Sequence, residues 1–293
     1  MGKTALAVHL AEELHTEIVS CDSRQLYKEL SVGTAVPSEE ELKRVKHHLI
    51  QTISVHDYYN ASMFEFEVIN ILENLYKKYP YVVMAGGSGL YIDAVIHGID
   101  DLPTIDQNIR KDLKKQFHKF GIEHLQELLK KADPRYYEKV DLNNPKRLLK
   151  ALEIHQMTGK PYSEFLTKPK KTRHFIPVLI GLNLDREELY NRINKRVDQM
   201  VEKGLLEEAR KFYPERELNS LNTVGYKELF QCFDGKMTLE ESIEKIKANT
   251  RKYARKQLTW FRRYKDVKWF NPDEKEEILK YIKEKQNDHG KQY

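Results

Sequence analysis

Two short apolar runs, Glu17-Ile-Val-Ser20 and Tyr81-Val-Val-Met-Ala85, alternate with stretches of helical apolar spacing and end in polar or glycine-rich turns. A strand that returns parallel to its neighbour needs a crossover, and a helix is the usual one, so this alternation points to an α/β fold with a parallel sheet. Leu6, Leu10 and Leu14, with small alanines between them, predict a helix over Lys3 to Leu14 with one buried face. Asn60 is placed to cap a long helix through Phe64, Phe66, Ile69, Leu72 and Leu75, which must stop before Pro80. The strand ending at Ala85 runs straight into Gly86-Gly-Ser-Gly89 and a further helix.

From about Ile99 to His174 the strand signals vanish. Helices are expected around Ile109–Phe120, Ile122–Lys131 and Pro145–Met157. The chain therefore divides into a core, 1–98 with 175–293, and an all-helical insert, 99–174. In the second part of the core a strand is expected over Ile176–Leu184, then a long helix from Arg186 to Tyr213, stopped by Pro214. A short helix near Val224–Phe233 follows, then one over Leu239–Tyr264 with Thr238 and Glu241 as a capping box. Val267–Phe270 reads as a last strand and the tail from Asp273 as a surface helix.

Composition removes several classes. Hydrophobic residues make up 40% of the 293, too many for a disordered chain, and no apolar run approaches the roughly 20 residues that span a bilayer. Glu12 and Glu13 interrupt the N-terminal apolar stretch, against a signal peptide. Cys21 and Cys232 are the only cysteines, too few for a disulfide framework or a four-ligand zinc site, so a reducing, cytoplasmic setting is expected. The net charge of +5 conceals an asymmetry. Between Lys245 and Lys265 lie nine Lys/Arg and no acid; between Lys146 and Arg173 lie eight against Glu153 and Glu164. Such tracts fit either a phosphate-rich partner or a solvated face.

Three motifs carry chemistry. Gly2-Lys3-Thr4 heads a helix and matches the closing half of a phosphate-binding loop, in which backbone N–H groups and the lysine hold phosphate and the hydroxyl reaches Mg²⁺. Asp22, in Ser20-Cys21-Asp22-Ser23, follows a strand end, where α/β folds place their sites, although it also reads as the cap of a short helix. Gly86-Gly-Ser-Gly-Leu-Tyr91 follows the next strand end and reads either as a ligand turn or as an ordinary strand-to-helix connection. On the helix over Leu239–Tyr264, Lys247, Arg251, Arg255, Leu258, Arg262 and Lys265 form one stripe, and Ile243, Ile246, Thr250, Tyr253 and Trp260 a mostly apolar one.

Together these segments resemble the tRNA dimethylallyltransferase family, also called isopentenyl-diphosphate:tRNA transferases. The resemblance covers nearly the whole chain: G-K-T-A-L-A (2–7), S-x-D-S-x-x-x-Y (20–27), V-G-T-A-x-P (32–37), G-G-S-G-L-Y (86–91), N-P-K-R-L-x-x-A-L-E (144–153), T-V-G-Y-K-E (223–228) and R-x-Y-A-R-K-Q-x-T-W-F-R (251–262). Ser88 stands where the family often has threonine, and keeps the hydroxyl. The resemblance implies a P-loop NTPase-like parallel sheet and transfer of a dimethylallyl group from dimethylallyl diphosphate to N6 of the adenosine next to the anticodon of tRNA. It implies Mg²⁺ as cofactor. Asp22 would be the general base and Ser88 its partner, holding the amine or the bridging oxygen. Gly2, Lys3, Thr4 and Arg255 would hold the diphosphate, with Thr4 on the metal. The anticodon stem-loop would meet Asp22, Ser23, Arg24 and Gln25, then Lys146, Arg147, Leu148, Leu149 and Lys150, then Asn222, Thr223, Val224, Gly225, Tyr226 and Lys227, with Arg110 a further contact. A monomer without membrane contact is expected.

Two rival readings exist. A small-molecule P-loop kinase accounts for Gly2-Lys3-Thr4 but leaves the basic tracts idle, and label transfer from the γ-phosphate of ATP rather than from prenyl carbons would identify it. An inactive RNA-binding remnant is the other, since the first glycine of a complete phosphate loop would fall four residues before Met1. The chain as written is accordingly expected to turn over little, and an extension supplying a strand and the front of the loop is expected to restore transfer. Equal turnover with and without that extension would contradict this expectation.

Overall fold

The computed structural model describes residues 2–100, 102–103, 106–166 and 171–290. It contains two compact units, Met1–Ile96 with Arg173–Tyr293, and His97–Thr172.

The larger unit opens with α1 (Lys3–Glu13), β1 (Ile18–Cys21), a short α2 (Glu39–Arg44), β2 (His47–His48), α3 (Ala61–Leu75), β3 (Val83–Gly86) and α4 (Gly89–His97). The strands pair in parallel in the order β2-β1-β3. Every residue of β1 is buried, because helices cover both faces of the sheet. Ile18 packs with Ala7, Val8 and Ala11 of α1. Val19 and Cys21 point the other way, into Phe64, Val68 and Leu72 of α3. Asn60 caps α3 by accepting from the N–H groups of Ser62 and Met63. Neither α2 nor β2 was anticipated from the sequence: one is six residues long and the other two, too short to display a period.

After the insert a second parallel pair forms from β4 (Ile180–Leu182) and, near the end, β5 (Lys268–Phe270). The expected strand over Ile176–Leu184 shrinks to three residues. Between these strands the expected long helix is two, α8 (Arg186–Glu202) and α9 (Leu205–Phe212), broken at Gly204 with φ 93°. The break is invisible in the pattern because Ile193, Val197, Val201, Leu205 and Ala209 keep a spacing of four across it. α10 (Tyr226–Phe233) and α11 (Leu239–Phe261) follow, the latter with the anticipated Thr238–Glu241 capping box. Helix α11 stops three residues before Tyr264, so Arg262 is its C-cap and Lys265 lies beyond it. The tail helix spans Lys275–Gly290. No helix among the described residues is long and apolar enough to cross a membrane.

Glu208 of α9 ties two parts of this unit together. Its carboxylate accepts from the N–H groups of Ser31 (2.8 Å), Val32 (2.9 Å) and Gly33 (2.8 Å), and from the Tyr226 hydroxyl (2.6 Å). A Cβ at Gly33 would lie 2.5 Å from that hydroxyl oxygen, so the glycine of the V-G-T-A segment makes room for Tyr226.

Helices joined by turns, with no strand, make up the described residues of the smaller unit. Its long helix α5 (Gln107–Ala132) is broken at Gly121, whose φ of 82° and ψ of −173° separate the two expected helices. A short α6 (Pro134–Tyr137) leads to α7 (Pro145–Thr158), where Asn144 accepts from the Arg147 N–H and Pro145 occupies a first-turn position. Leu113, Leu125, Leu129, Leu148, Leu152 and Ile154 form its core.

Removing the Glu208 carboxylate leaves three backbone donors and a phenol unpaired at once. Glu208→Ala is expected to destabilise the fold by about 3 kcal/mol, read as a lower urea midpoint with unchanged slope. A midpoint equal to that of the native protein would contradict this.

Candidate functional site

Strands β1 and β3 end side by side, with Cys21 opposite Gly86. The approach there is so close that a Cβ on Gly86 would sit 2.4 Å from the Cys21 carbonyl carbon and oxygen. The residues following each strand are therefore neighbours. The Ser88 N–H donates to the Cys21 carbonyl (3.2 Å), and the Ser88 hydroxyl accepts from the Ser23 N–H (2.9 Å) while donating to the Ser23 hydroxyl (3.1 Å). Asp22 Oδ1 accepts from the Arg24 N–H (2.9 Å), so this carboxylate stabilises a turn; no helix follows it. Its Oδ2 accepts from no group among the described residues, which leaves one oxygen of a half-buried carboxylate to act on something else.

Cations surround the carboxylate. Helix α1 begins at Lys3 behind a left-handed Gly2 (φ 74°) and has no side-chain cap, so its first N–H groups and the Thr4 hydroxyl are presented together. The Lys3 side chain is exposed, yet protein packed around its ammonium withdraws it from bulk water and lowers its pKa; Arg196 lowers it further and Asp22 opposes. Arg196, on α8, is likewise lowered by burial and opposed by Asp22. Lys3, Arg196 and Asp22 thus share one place. Sequence reasoning missed Arg196. The available signal was a cation beside the stripe of Ile193, Val197 and Met200, the face α8 turns inward.

Helix α11 lies over the glycine turn. Gln257 donates to the Gly87 carbonyl (2.8 Å), and a Cβ on Gly87 would fall 2.0 Å from the Gln257 amide nitrogen. A Cβ on Gly89 would fall 2.3 Å from Trp260 Nε1. These two glycines admit a helix, and Ser88 between them faces the site. Asp93 fixes the end of α11 by accepting from Arg263 (2.9 Å), the Trp260 indole (3.3 Å) and the Tyr264 hydroxyl. Across the site Arg24 donates to the carbonyls of Asn219 and Ser220 (3.0 Å each), and Gln25 to that of Ala35 (2.9 Å).

Several expected RNA contacts need correction. Tyr226 and Leu148 are wholly buried, so neither side chain is presented to RNA. Gly225 is also buried, its N–H donated to Glu228. The exposed members of those segments are Asn222, Lys227, Lys146 and Arg147, with Thr223, Val224 and Leu149 half-buried. Lys150 is half-buried, its ammonium lowered by burial first and by Arg110, with Glu153 opposing. Arg110 forms a two-point ion pair with buried Glu153 (2.7 and 2.9 Å). The acid-free stripe is acid-free only in sequence, because Lys247 meets Asp198 of α8 (2.8 Å) and Glu244 (2.9 Å). Arg173 is withdrawn as well, paired with buried Glu65 (2.6 Å). Arg255 is exposed and donates to the Tyr190 hydroxyl (2.7 Å); with Arg186 it holds that phenol below its ordinary pKa. Lys168 and Lys170 of the insert tract lie outside the described residues.

Among the described residues no three His, Cys, Asp or Glu gather as a metal cage. Among the described residues, the oxygens nearest the helix N-terminus and its cations are the Thr4 hydroxyl and the Asp22 carboxylate. That donor set suits Mg²⁺ arriving on phosphate oxygens, since this ion commonly keeps one or two protein ligands and completes its shell from substrate and water.

The chain matches the family model described as IPP transferase over residues 25–264. It is 55% identical over 282 residues to tRNA dimethylallyltransferase 2 of Parabacteroides distasonis, covering 96% of this chain and 94% of that protein. It is 52% identical to tRNA dimethylallyltransferase 1 of Bacteroides fragilis, again over 96% and 94%. The crystal structure of the full-length tRNA isopentenylpyrophosphate transferase of Bacillus halodurans superposes with a TM-score of 0.71 at 36% identity, over 99% of this chain and 94% of that one. A eukaryotic dimethylallyltransferase captured acting on tRNA gives a TM-score of 0.74 at 25% identity, over 92% and 71%.

Lys3 generates a prediction of defined sign. Its folded pKa lies below the unfolded value of 10.5, so the charged ammonium costs stability throughout the range below the folded pKa, and the cost fades as pH rises from the folded pKa to 10.5 and is gone above it. Lys3→Met is expected to raise the melting temperature of the ligand-free protein at neutral pH and to lose the further rise that inorganic diphosphate produces in the native protein. A lower ligand-free melting temperature, or an undiminished diphosphate shift, would contradict this account.

Proposed function

The chain belongs to the IPP transferase family, and we propose from that premise how its residues divide the work of tRNA prenylation. It is a transferase that prenylates tRNA. Our reading of the finer chemistry is transfer of the dimethylallyl group of dimethylallyl diphosphate to the exocyclic N6 amine of adenosine beside the anticodon. The observation carrying it is the unused Asp22 carboxylate oxygen beside the Ser88 hydroxyl, in the field of Lys3 and Arg196.

The N6 lone pair forms the new C–N bond while the bond from the same allylic carbon to the diphosphate oxygen breaks. An aryl amine is a weak nucleophile, so Asp22 accepts its hydrogen bond and then its proton as positive charge develops on nitrogen. Ser88 holds the amine or the bridging oxygen; it has one proton, which now goes to the Ser23 hydroxyl, so donating to the leaving oxygen requires releasing Ser23. Lys3, Arg196, the α1 N–H groups and Thr4 receive the growing diphosphate charge, and Arg255 is a further candidate for it. Mg²⁺, when bound on the diphosphate, would supply additional neutralisation of the leaving group, with Thr4 as its protein ligand.

The adenine of a stacked anticodon loop cannot reach Asp22, so the base is taken out of the stack. Exposed Lys146 and Arg147, with Asn222 and Lys227, are the residues we assign to RNA, the cations acting through phosphates. One chain carries every group named, in keeping with a monomer, and its RNA substrate implies a cytoplasmic enzyme.

Asp22→Ala is expected to lower turnover by on the order of 10² to 10⁴ and to leave the affinity for dimethylallyl diphosphate unchanged. Collapse of diphosphate binding with single-turnover chemistry intact would instead make Asp22 a ligand.

A further inference from the structure

Tyr253 is out of character with the helix face that carries it. Ile246, Thr250, Tyr253, Gln257 and Trp260 follow one another at spacings of three and four, so they share the inner face of α11. Ile246 is 1% exposed in the core, Gln257 reaches the Gly87 carbonyl, and Trp260 lies over Gly89. Tyr253, between them, is 48% exposed. A residue on an inward face that nonetheless meets solvent lines a concavity rather than a core. The concavity is the site described above: the phenol lies near Ser88, Gln257 and Asp22, and burial first, then the Asp22 charge, raises its pKa. Tyr253 has no ring partner among the aromatic contacts of the described residues, and nearly half of it is open to solvent.

We propose that the open face of Tyr253 is the platform on which the extruded acceptor adenine stacks, making this tyrosine a specificity-determining residue for the base. The inference rests on the proposed prenyl transfer to adenosine. The direction of the side chain selects the base over the prenyl group as its partner. The hydroxyl end of Tyr253 is at Ser88, where the exocyclic amine must sit, and the ring extends from there toward α11. An adenine anchored by its amine at Asp22 and Ser88 extends its own rings from the same point. The allyl group instead lies between the amine and the cations at Lys3 and Arg196. A tyrosine ring, with only two side-chain torsions to fix, also loses little conformational freedom on stacking.

The test compares two anticodon stem-loops, one with adenosine at the acceptor position and one abasic there, titrated against native protein and Tyr253 variants. Loss of one base–aromatic stack weakens binding by on the order of ten- to a hundredfold. Tyr253→Ala is expected to lose about that factor for the adenosine loop and nothing for the abasic loop, with the Michaelis constant for dimethylallyl diphosphate unchanged. Tyr253→Phe is expected to keep the adenosine preference, because the face remains. Tyr253→Leu, which keeps bulk without the aromatic face and guards against misfolding of the alanine variant, is expected to lose it. Equal loss for both RNAs, an unaltered adenosine preference, or a raised Michaelis constant for the prenyl donor with RNA affinity intact would each overturn the proposal. Failure of the native protein to prenylate the adenosine loop would overturn the parent reading, a result separable from all of these.

Discussion

The contact between the ends of β1 and β3 is the constraint on which the site depends. Parallel pairing sets Cys21 against Gly86 at a distance that no side chain on residue 86 tolerates. That register brings Asp22 and Ser88, 66 residues apart in sequence, to adjacent strand ends. The hydrogen bonds from Ser88 to Cys21 and Ser23 then lock one turn onto the other. A slip of one residue would turn Val19 and Cys21 away from α3 and separate the carboxylate from the hydroxyl in the same movement.

Charge around this junction is arranged for a ligand at some cost to the empty protein. Lys3 and Arg196 are both lowered by withdrawal from water, and Lys3 is lowered further by Arg196. Two cations held this way, with one carboxylate between their influences, are a poor arrangement for stability alone. They are a good one for a multiply charged anion, which relieves the repulsion that the fold maintains. Elsewhere several cations are quenched: Lys247 by Asp198 and Glu244, Arg110 by Glu153, Arg173 by Glu65. The basic tracts therefore overstate the available positive charge, although Lys146, Arg147 and Arg255 remain exposed.

The glycine-rich turn illustrates how a motif serves two needs. Gly87 and Gly89 make room for Gln257 and Trp260 of α11, and that packing holds Tyr253 and Ser88 in contact. The ordinary strand-to-helix reading of the turn accounts for Gly87 and Gly89, and the ligand reading is the one proposed for Ser88. Asp22 is similar: one oxygen holds the Arg24 turn and the other is available for chemistry.

The alternation of strands and helices, the cap at Asn60, the box at Thr238 and Glu241, and the helical insert were legible in the sequence, because each depends on neighbours a few residues apart. The resemblance to the tRNA-prenylating family was legible too, since it rests on ordered short motifs. The break at Gly204 was not, because a spacing of four ran through it unbroken. Nor were the burial of Tyr226, the pairing of Lys247 with Asp198 and of Arg173 with Glu65, or the arrival of Arg196 beside Lys3. Those are contacts between groups tens to hundreds of residues apart. Local spacing records which face of an element is apolar, but only the packed structure decides which charge or ring that face meets.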